Sequence, residues 1–171
     1  GVEVAVRNLK AEGVHTFATV YGNADLSLDA VTISGMRSIT GGGGAVVTVP
    51  KGTGSVVTIQ NSTITDSRTY TKPIPLTDDS VYVFGGAIMG QGTLVMDNVS
   101  MIGNETAGAV AWNSGDVTIV SSRFVNAGGL QATGDTDMTI VNSAVSFRLG
   151  GTDPVSQVSA ISGARIDLIA S

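Results

Sequence analysis

The chain lacks most of the features that stabilise or anchor small folds. Its 171 residues include no cysteine, 5% aromatic residues and 13% charged residues. The absence of cysteine excludes disulfide scaffolds, thiolate metal sites and cysteine nucleophiles. No apolar run approaches the roughly 18 residues that a membrane-spanning helix requires, so we expect no membrane insertion by this segment.

Its charge and its termini exclude further classes. Nine Lys and Arg against fourteen Asp and Glu give a net charge of −5. An acidic chain with scattered cations is a poor ligand for nucleic acid. We expect no signal peptide within this segment, because it does not begin with a basic region followed by an apolar stretch.

What the chain does contain is one short apolar pattern that recurs along its whole length. In each copy a central residue has a second apolar or small residue two positions before it, and in the first six copies a third stands five positions after it. The central residues are Val6, Leu28, Ile59, Met96, Ile119, Ile140 and Leu168. They are separated by 22, 31, 37, 23, 21 and 28 residues. Such a repeat predicts a solenoid of stacked coils with insertions of variable length.

Each copy predicts a strand, a bend and a second strand. Residues two positions apart lie on one face of a strand, whereas a step of five reverses the face and requires a bend. Asparagine, which tolerates left-handed backbone angles, occupies the bend in four copies: Asn8, Asn61, Asn98 and Asn142. We expect these residues to form a hydrogen-bonded ladder along the stack. The alternative is a set of independent turn residues.

A third strand, rich in glycine and alanine, precedes each unit. Its copies begin at Phe17, Gly44, Gly85, Gly108, Gly129 and Gln157. Units as little as 21 residues apart leave no room for crossover helices. We therefore predict an all-β fold, a right-handed parallel β-helix (single-stranded β-solenoid) of about six to seven coils. The right hand follows from the general handedness of parallel crossovers.

Two coils resemble a known group of proteins. Residues 85–104 and 108–126 are similar to the repeats of autotransporter passenger domains, including the polymorphic membrane protein group. Gly85–Ile88 match a Gly-Gly-Ala-Ile motif, and Met101–Asn104 approximate a Phe-x-x-Asn motif. The resemblance implies a bacterial cell-surface or secreted stalk, most often adhesive, held to the outer membrane by a separate C-terminal barrel.

Insertions between coils are the expected contact surface, because loops on a rigid scaffold usually carry function. They lie near residues 35–43, 67–84 and 148–157. The longest combines tyrosines with charged residues, a composition common at interfaces. Its candidate binding residues are Arg68, Tyr70, Lys72, Asp78, Asp79 and Tyr82. The alternative is a plain surface loop that packs apolar side chains on the solenoid.

Catalytic groups are few. The single histidine, His15, stands near a turn and is most simply a surface residue. Asp78 with Asp79, and Asp135 with Asp137, are candidate acid–base pairs for glycoside chemistry, although aspartate is also favoured in turns. The sequence carries no calcium-loop or phosphate-loop pattern. We expect no catalytic residue, no metal site and no cofactor.

The patterns and the resemblance together predict one solenoid segment over residues 1–171. We expect it to be a fragment of a longer passenger domain, since neither end reads as a capping element. The expected function is adhesion or self-association, with a host-cell receptor, a glycan or another copy of the chain as partner. The alternative is a carbohydrate-active β-helix, such as a polysaccharide lyase, a hydrolase or a phage tailspike.

Overall fold

A computed structural model describes residues 1–13, 15–38, 46–50, 54–69, 86–104, 108–146 and 158–169. These residues form nineteen strands and no helix. The strands are β1 (Glu3–Arg7), β2 (Lys10–Glu12), β3 (Ala18–Thr19), β4 (Asp25–Asp29), β5 (Thr32–Ser34), β6 (Arg37–Ser38), β7 (Val47–Thr48), β8 (Val56–Gln60), β9 (Thr63–Thr65), β10 (Arg68–Thr69), β11 (Gly86–Gly90), β12 (Thr93–Asp97), β13 (Ser100–Ile102), β14 (Gly108–Val120), β15 (Arg123–Val125), β16 (Gly129–Val141), β17 (Ala144–Ser146), β18 (Val158–Ile161) and β19 (Arg165–Ile169).

The central residues of the repeat lie directly above one another. They belong to β1, β4, β8, β12, β14, β16 and β19, and every pairing between these strands is parallel. The successive partners are Val6, Leu28, Ile59, Met96, Ile119, Ile140 and Leu168. The predicted stacked coils and their alignment are therefore confirmed, and the described ranges offer no helix able to cross a bilayer.

The strands that follow the bend form a second parallel sheet. Its order is β17-β15-β13-β9-β5-β2. The residues five positions after each centre are in register through this sheet: Ala11, Ile33, Ile64, Met101, Phe124 and Val145. A short pair, β6 with β10, extends one corner of the stack. The repeat pattern had not predicted this pair.

The third row of strands consists of β3, β7, β11, the first halves of β14 and β16, and β18. In β14 and β16 this row runs directly into the central strand, so that each is 13 residues long. The sequence suggested separate short strands. They are joined here because the linking residues continue to pair across coils, Ser114 with Asp135 and Asp116 with Asp137, despite an irregularity in the pairing and a positive φ at Gly115 and Gly134.

A single apolar column fills the space between the three rows. Trp112 and Phe124 are the largest fully buried side chains, and Leu28, Ile59 and Ile119 have no exposed surface. Burial of each large side chain contributes about 1.5–3 kcal/mol. Each coil therefore depends on its neighbours to cover its part of the column.

The bend after each of the first six central residues has the left-handed backbone that asparagine was expected to adopt. The φ angles lie between 48° and 53° at Asn8, Ala30, Asn61, Asn98, Ser121 and Asn142. The amide of Asn98 donates to Asn61 Oδ1 at 3.0 Å, and that of Asn61 donates to Asp29 Oδ1 at 2.9 Å. Asn142 donates to Ser121 Oγ at 3.4 Å. Hydrogen bonds from side-chain amides thus link three pairs of successive coils at this corner.

Candidate functional site

A groove lies on the outer side of the third row of strands. Its volume is about 470 Å³, within the range of small-ligand pockets. Four successive coils line it, through residues 48–50, 89–91 and 111–113 and through Gln131 and Thr133.

Strand alternation places one row of side chains on the wall of this groove. Val47, Ile88, Val110 and Leu130 are in register and wholly buried in the apolar column. Side chains alternate along a strand, so the next residue in each coil faces away from the column. This outer row is Thr48, Met89, Ala111 and Gln131.

A second row of polar side chains follows two residues later. It contains Gln91, Asn113 and Thr133. Thr133 Oγ1 lies 2.9 Å from Asn113 Oδ1 and donates to it across adjacent coils. Asn113 is exposed, whereas Thr133 is half-buried. The contact fixes the orientation of the Asn113 amide and directs its NH₂ group away from Thr133.

Between the two rows, Trp112 closes the floor of the groove. Its side chain is 1% exposed, and its Nε1 donates to the carbonyl of Gly92 at 2.9 Å. Trp112 pairs with Gly90 in the neighbouring coil. A Cβ at Gly90 would lie 2.5 Å from the Val49 Cβ, so only glycine lets these coils approach while the large indole packs beside them.

Gln131 is the unusual residue of the outer row. Its side chain is 2% exposed, and its Oε1 is buried with no hydrogen-bond partner. A buried acceptor without a donor costs about 1–3 kcal/mol. Such groups are rare in folded proteins, and this oxygen distinguishes Gln131 from the other side chains of the outer row.

The polar side chains of the groove are uncharged. They are the amides of Gln91, Asn113 and Gln131 and the hydroxyls of Thr48 and Thr133. Amides and hydroxyls donate and accept hydrogen bonds, but they do not titrate in the range needed for general acid–base catalysis. The groove is therefore equipped to bind a ligand. Among the described residues, no group of three His, Cys, Asp or Glu is placed to hold a metal ion.

Comparison with known families agrees with this architecture. A family model described as the right handed beta helix region matches residues 1–154. The chain belongs to this family. No curated protein and no solved structure matches it significantly.

Most of the loop residues predicted to bind a partner fall outside the described part of this β-helix. Arg68 begins β10, where its backbone pairs with that of Arg37 in β6. The others, Tyr70, Lys72, Asp78, Asp79 and Tyr82, lie outside the described residues, as do residues 39–43 and 148–157 of the predicted insertions. Their binding role stays a prediction.

Two of the candidate acids and the histidine lie on the outside of the β-helix, whereas Asp78 and Asp79 fall outside the described residues. His15, Asp135 and Asp137 are exposed. Asp137 is in register with Asp116, also exposed, on the adjacent strand. The sequence did not group Asp116 with Asp137, because the two belong to different coils.

Asn104, the last residue of the Phe-x-x-Asn-like motif, links two coils of the β-helix. Its Oδ1 accepts from the backbone N–H of Ser67 at 2.9 Å, and its Nδ2 donates to the carbonyl of Ile64 at 3.1 Å. The side chain is 2% exposed. The motif therefore has a structural role in this chain.

Sequence reasoning missed the groove itself. Its outer row combines two polar and two apolar uncharged side chains, those of Thr48, Met89, Ala111 and Gln131, and so shows no common chemical pattern. The available signal was Gln131, a long amide within a strand of small and apolar residues, at a position equivalent to alanine in the preceding coil.

Proposed function

We propose that this β-helix is a non-enzymatic passenger segment of a bacterial autotransporter, exposed at the cell surface or secreted. It acts in adhesion or self-association, and its partner is a host-cell receptor, a glycan or another copy of the chain. The observation that carries the proposal is the lateral groove, which presents neutral hydrogen-bonding side chains from four coils of one stack.

Two further features support a binding role. The apolar column holds the strands in one register from coil to coil, so that side chains on the outside keep fixed spacings. The motif similarity of residues 85–104 to passenger repeats favours a surface-exposed stalk. We propose the insertion at residues 67–84 as a second contact surface.

The test measures adhesion and self-association of the purified chain. Beads that carry the protein are incubated with host cells, and self-association is followed by sedimentation velocity. We expect adhesion or self-association that weakens about tenfold when a contact tyrosine is removed by Tyr82→Ala. The control is Tyr21→Ala, which truncates an exposed tyrosine at a turn in the described part of the chain.

The alternative, a carbohydrate-active β-helix, is favoured by one observation. Asp116 and Asp137 stand in register on neighbouring strands, about 4.8 Å apart along the stack, and paired carboxylates are the catalytic groups of most glycosidases. Release of sugar products from a polysaccharide, abolished by Asp137→Asn, would overturn the non-enzymatic proposal.

A further inference from the structure

Gln131 lines a groove rather than the apolar column, and its buried Oε1 accepts no hydrogen bond. A donor that enters from the groove supplies the hydrogen bond when the Gln131 side chain turns its oxygen toward it. Hydroxyl and N–H groups of a ligand both qualify.

The lack of charged side chains in the groove restricts the chemical class of the ligand. Asn113, Gln131 and Thr133 offer both donors and acceptors at short spacing, and none of them carries a charge. Vicinal hydroxyls of a sugar also donate and accept at neighbouring atoms. An anionic or cationic ligand would lose its hydration here without gaining a counter-charge.

The spacing of the coils distinguishes between a glycan and a peptide as the ligand. Equivalent side chains recur at each strand spacing, about 4.8 Å, which is close to the length of one sugar ring in a chain. An extended peptide advances about 3.3 Å per residue and does not match this repeat.

The backbone of the groove is also closed to a peptide strand. Strand β11 pairs with β7 on one side and β14 on the other, and β14 pairs in turn with β16. Addition of a peptide strand requires a free sheet edge, and these strands offer none within the groove.

The remaining wall of the groove is apolar. Met89 is half-buried, and Ala111 is 6% exposed. Beside them, Val49 and Pro50 complete an apolar strip along the polar row. A sugar ring has one face of C–H groups and an edge of hydroxyls, which matches a strip of this kind beside a row of amides.

We propose that the groove binds a neutral oligosaccharide that lies along the stack, with a sugar hydroxyl donating to Gln131 Oε1 and the Asn113 amide contacting the next ring. Four coils span about 14 Å at the strand spacing, room for two to three rings. This inference rests on the proposed binding function and assigns it a ligand class and a site.

The experiment titrates the protein with a panel of neutral trisaccharides: maltotriose, cellotriose, xylotriose, mannotriose, laminaritriose and N,N′,N″-triacetylchitotriose. Trp112 is the only tryptophan of the chain and lines the groove. Its fluorescence and its single indole N–H resonance therefore report binding at this site. We expect saturable changes with at least one member of the panel.

Three variants identify the residues responsible. Gln131→Met removes the amide at similar length, and we expect binding about tenfold weaker with a melting temperature raised by roughly 2–4 °C, because the unpaired acceptor is gone. Asn113→Ala, at an exposed position, should weaken binding without loss of the fold. The matched control is Gln60→Met in β8, which contributes no residue to the groove.

Opposite results overturn the inference. These are the absence of response to the whole panel, binding unaffected by Gln131→Met, or a lower melting temperature in that variant. Selection of an extended peptide whose binding depends on Gln131 would assign the groove to a protein partner instead. Adhesion that persists without trisaccharide binding refutes only the groove assignment. Trisaccharide binding followed by cleavage refutes only the non-enzymatic function.

Discussion

A methyl group added at Gly115 gives the sharpest test of how closely the coils stack. Gly115 has φ = 97°, outside the regions that residues with a side chain adopt. A Cβ there would overlap the carbonyl oxygen of Gly92 in the neighbouring coil and would lie 2.9 Å from the Gly92 carbonyl carbon. Gly115→Ala must therefore either strain its own backbone or push the two coils apart.

A comparison with Gly22 gives the expected loss of folding stability in Gly115→Ala. Gly22 also has positive φ, 64°, but a Cβ there would have nothing within 4 Å. Gly22→Ala should cost only the left-handed strain, about 1–2 kcal/mol. Gly115→Ala adds overpacking against a backbone that cannot rotate away, about 1–3 kcal/mol, to a backbone strain of about 1–3 kcal/mol. We expect a total near 4 kcal/mol and a difference of about 2–3 kcal/mol between the two variants.

Urea denaturation, followed by circular dichroism, measures both variants against the parent chain. A second readout is local. The Gly92 carbonyl that the new methyl group would displace accepts the hydrogen bond from Trp112 Nε1, so the indole N–H resonance should shift in Gly115→Ala and stay in place in Gly22→Ala. Equal losses of stability in the two variants, with an unmoved indole resonance, would refute the close stacking of the two coils at Gly115 and Gly92.

Two further substitutions test the links between coils. Ala30→Asn places asparagine at a bend with φ = 52°. We expect the free energy of unfolding to increase by about 0.5–1 kcal/mol, because asparagine tolerates this backbone better than alanine. A loss of stability in urea denaturation would count against the ladder of bend residues. Asn104→Ala leaves the N–H of Ser67 and the carbonyl of Ile64 without their partners. We expect the free energy of unfolding to fall by about 2–3 kcal/mol in the same assay. A loss below about 0.5 kcal/mol is typical of surface substitutions and would contradict the role assigned to the Asn104 amide.

The register of the fold was predictable because the inward residues obey a strict rule. Each coil must place apolar side chains two positions apart on one face and then reverse that face through a bend. Leu28 and Ile59 follow this rule although they stand 31 positions apart, and they lie in register. The bend residues were identifiable for a related reason, since few side chains tolerate φ near 50°.

The outer surface follows no such rule. Outward side chains are not required to match from coil to coil, so Ala111 and Gln131 occupy equivalent positions with unrelated chemistry. Burial of Gln131 depends on the residues of the coils around it, which no local pattern reveals. For the same reason the pairing of Asp116 with Asp137 emerged only after the coils had been placed next to each other.

The parallel stacking has a consequence for how such a protein can change. The interval from Ile59 to Met96 spans 37 residues and that from Ile119 to Ile140 spans 21, yet each advances the stack by one rung, about 4.8 Å. Rod length is thus counted in rungs, whereas the decoration of its sides is set by how many residues bulge out between them. Protein engineering or natural selection can change the loops between coils without changing the spacing of the coils. The architecture is therefore a spacer of fixed repeat length whose surface loops can be exchanged.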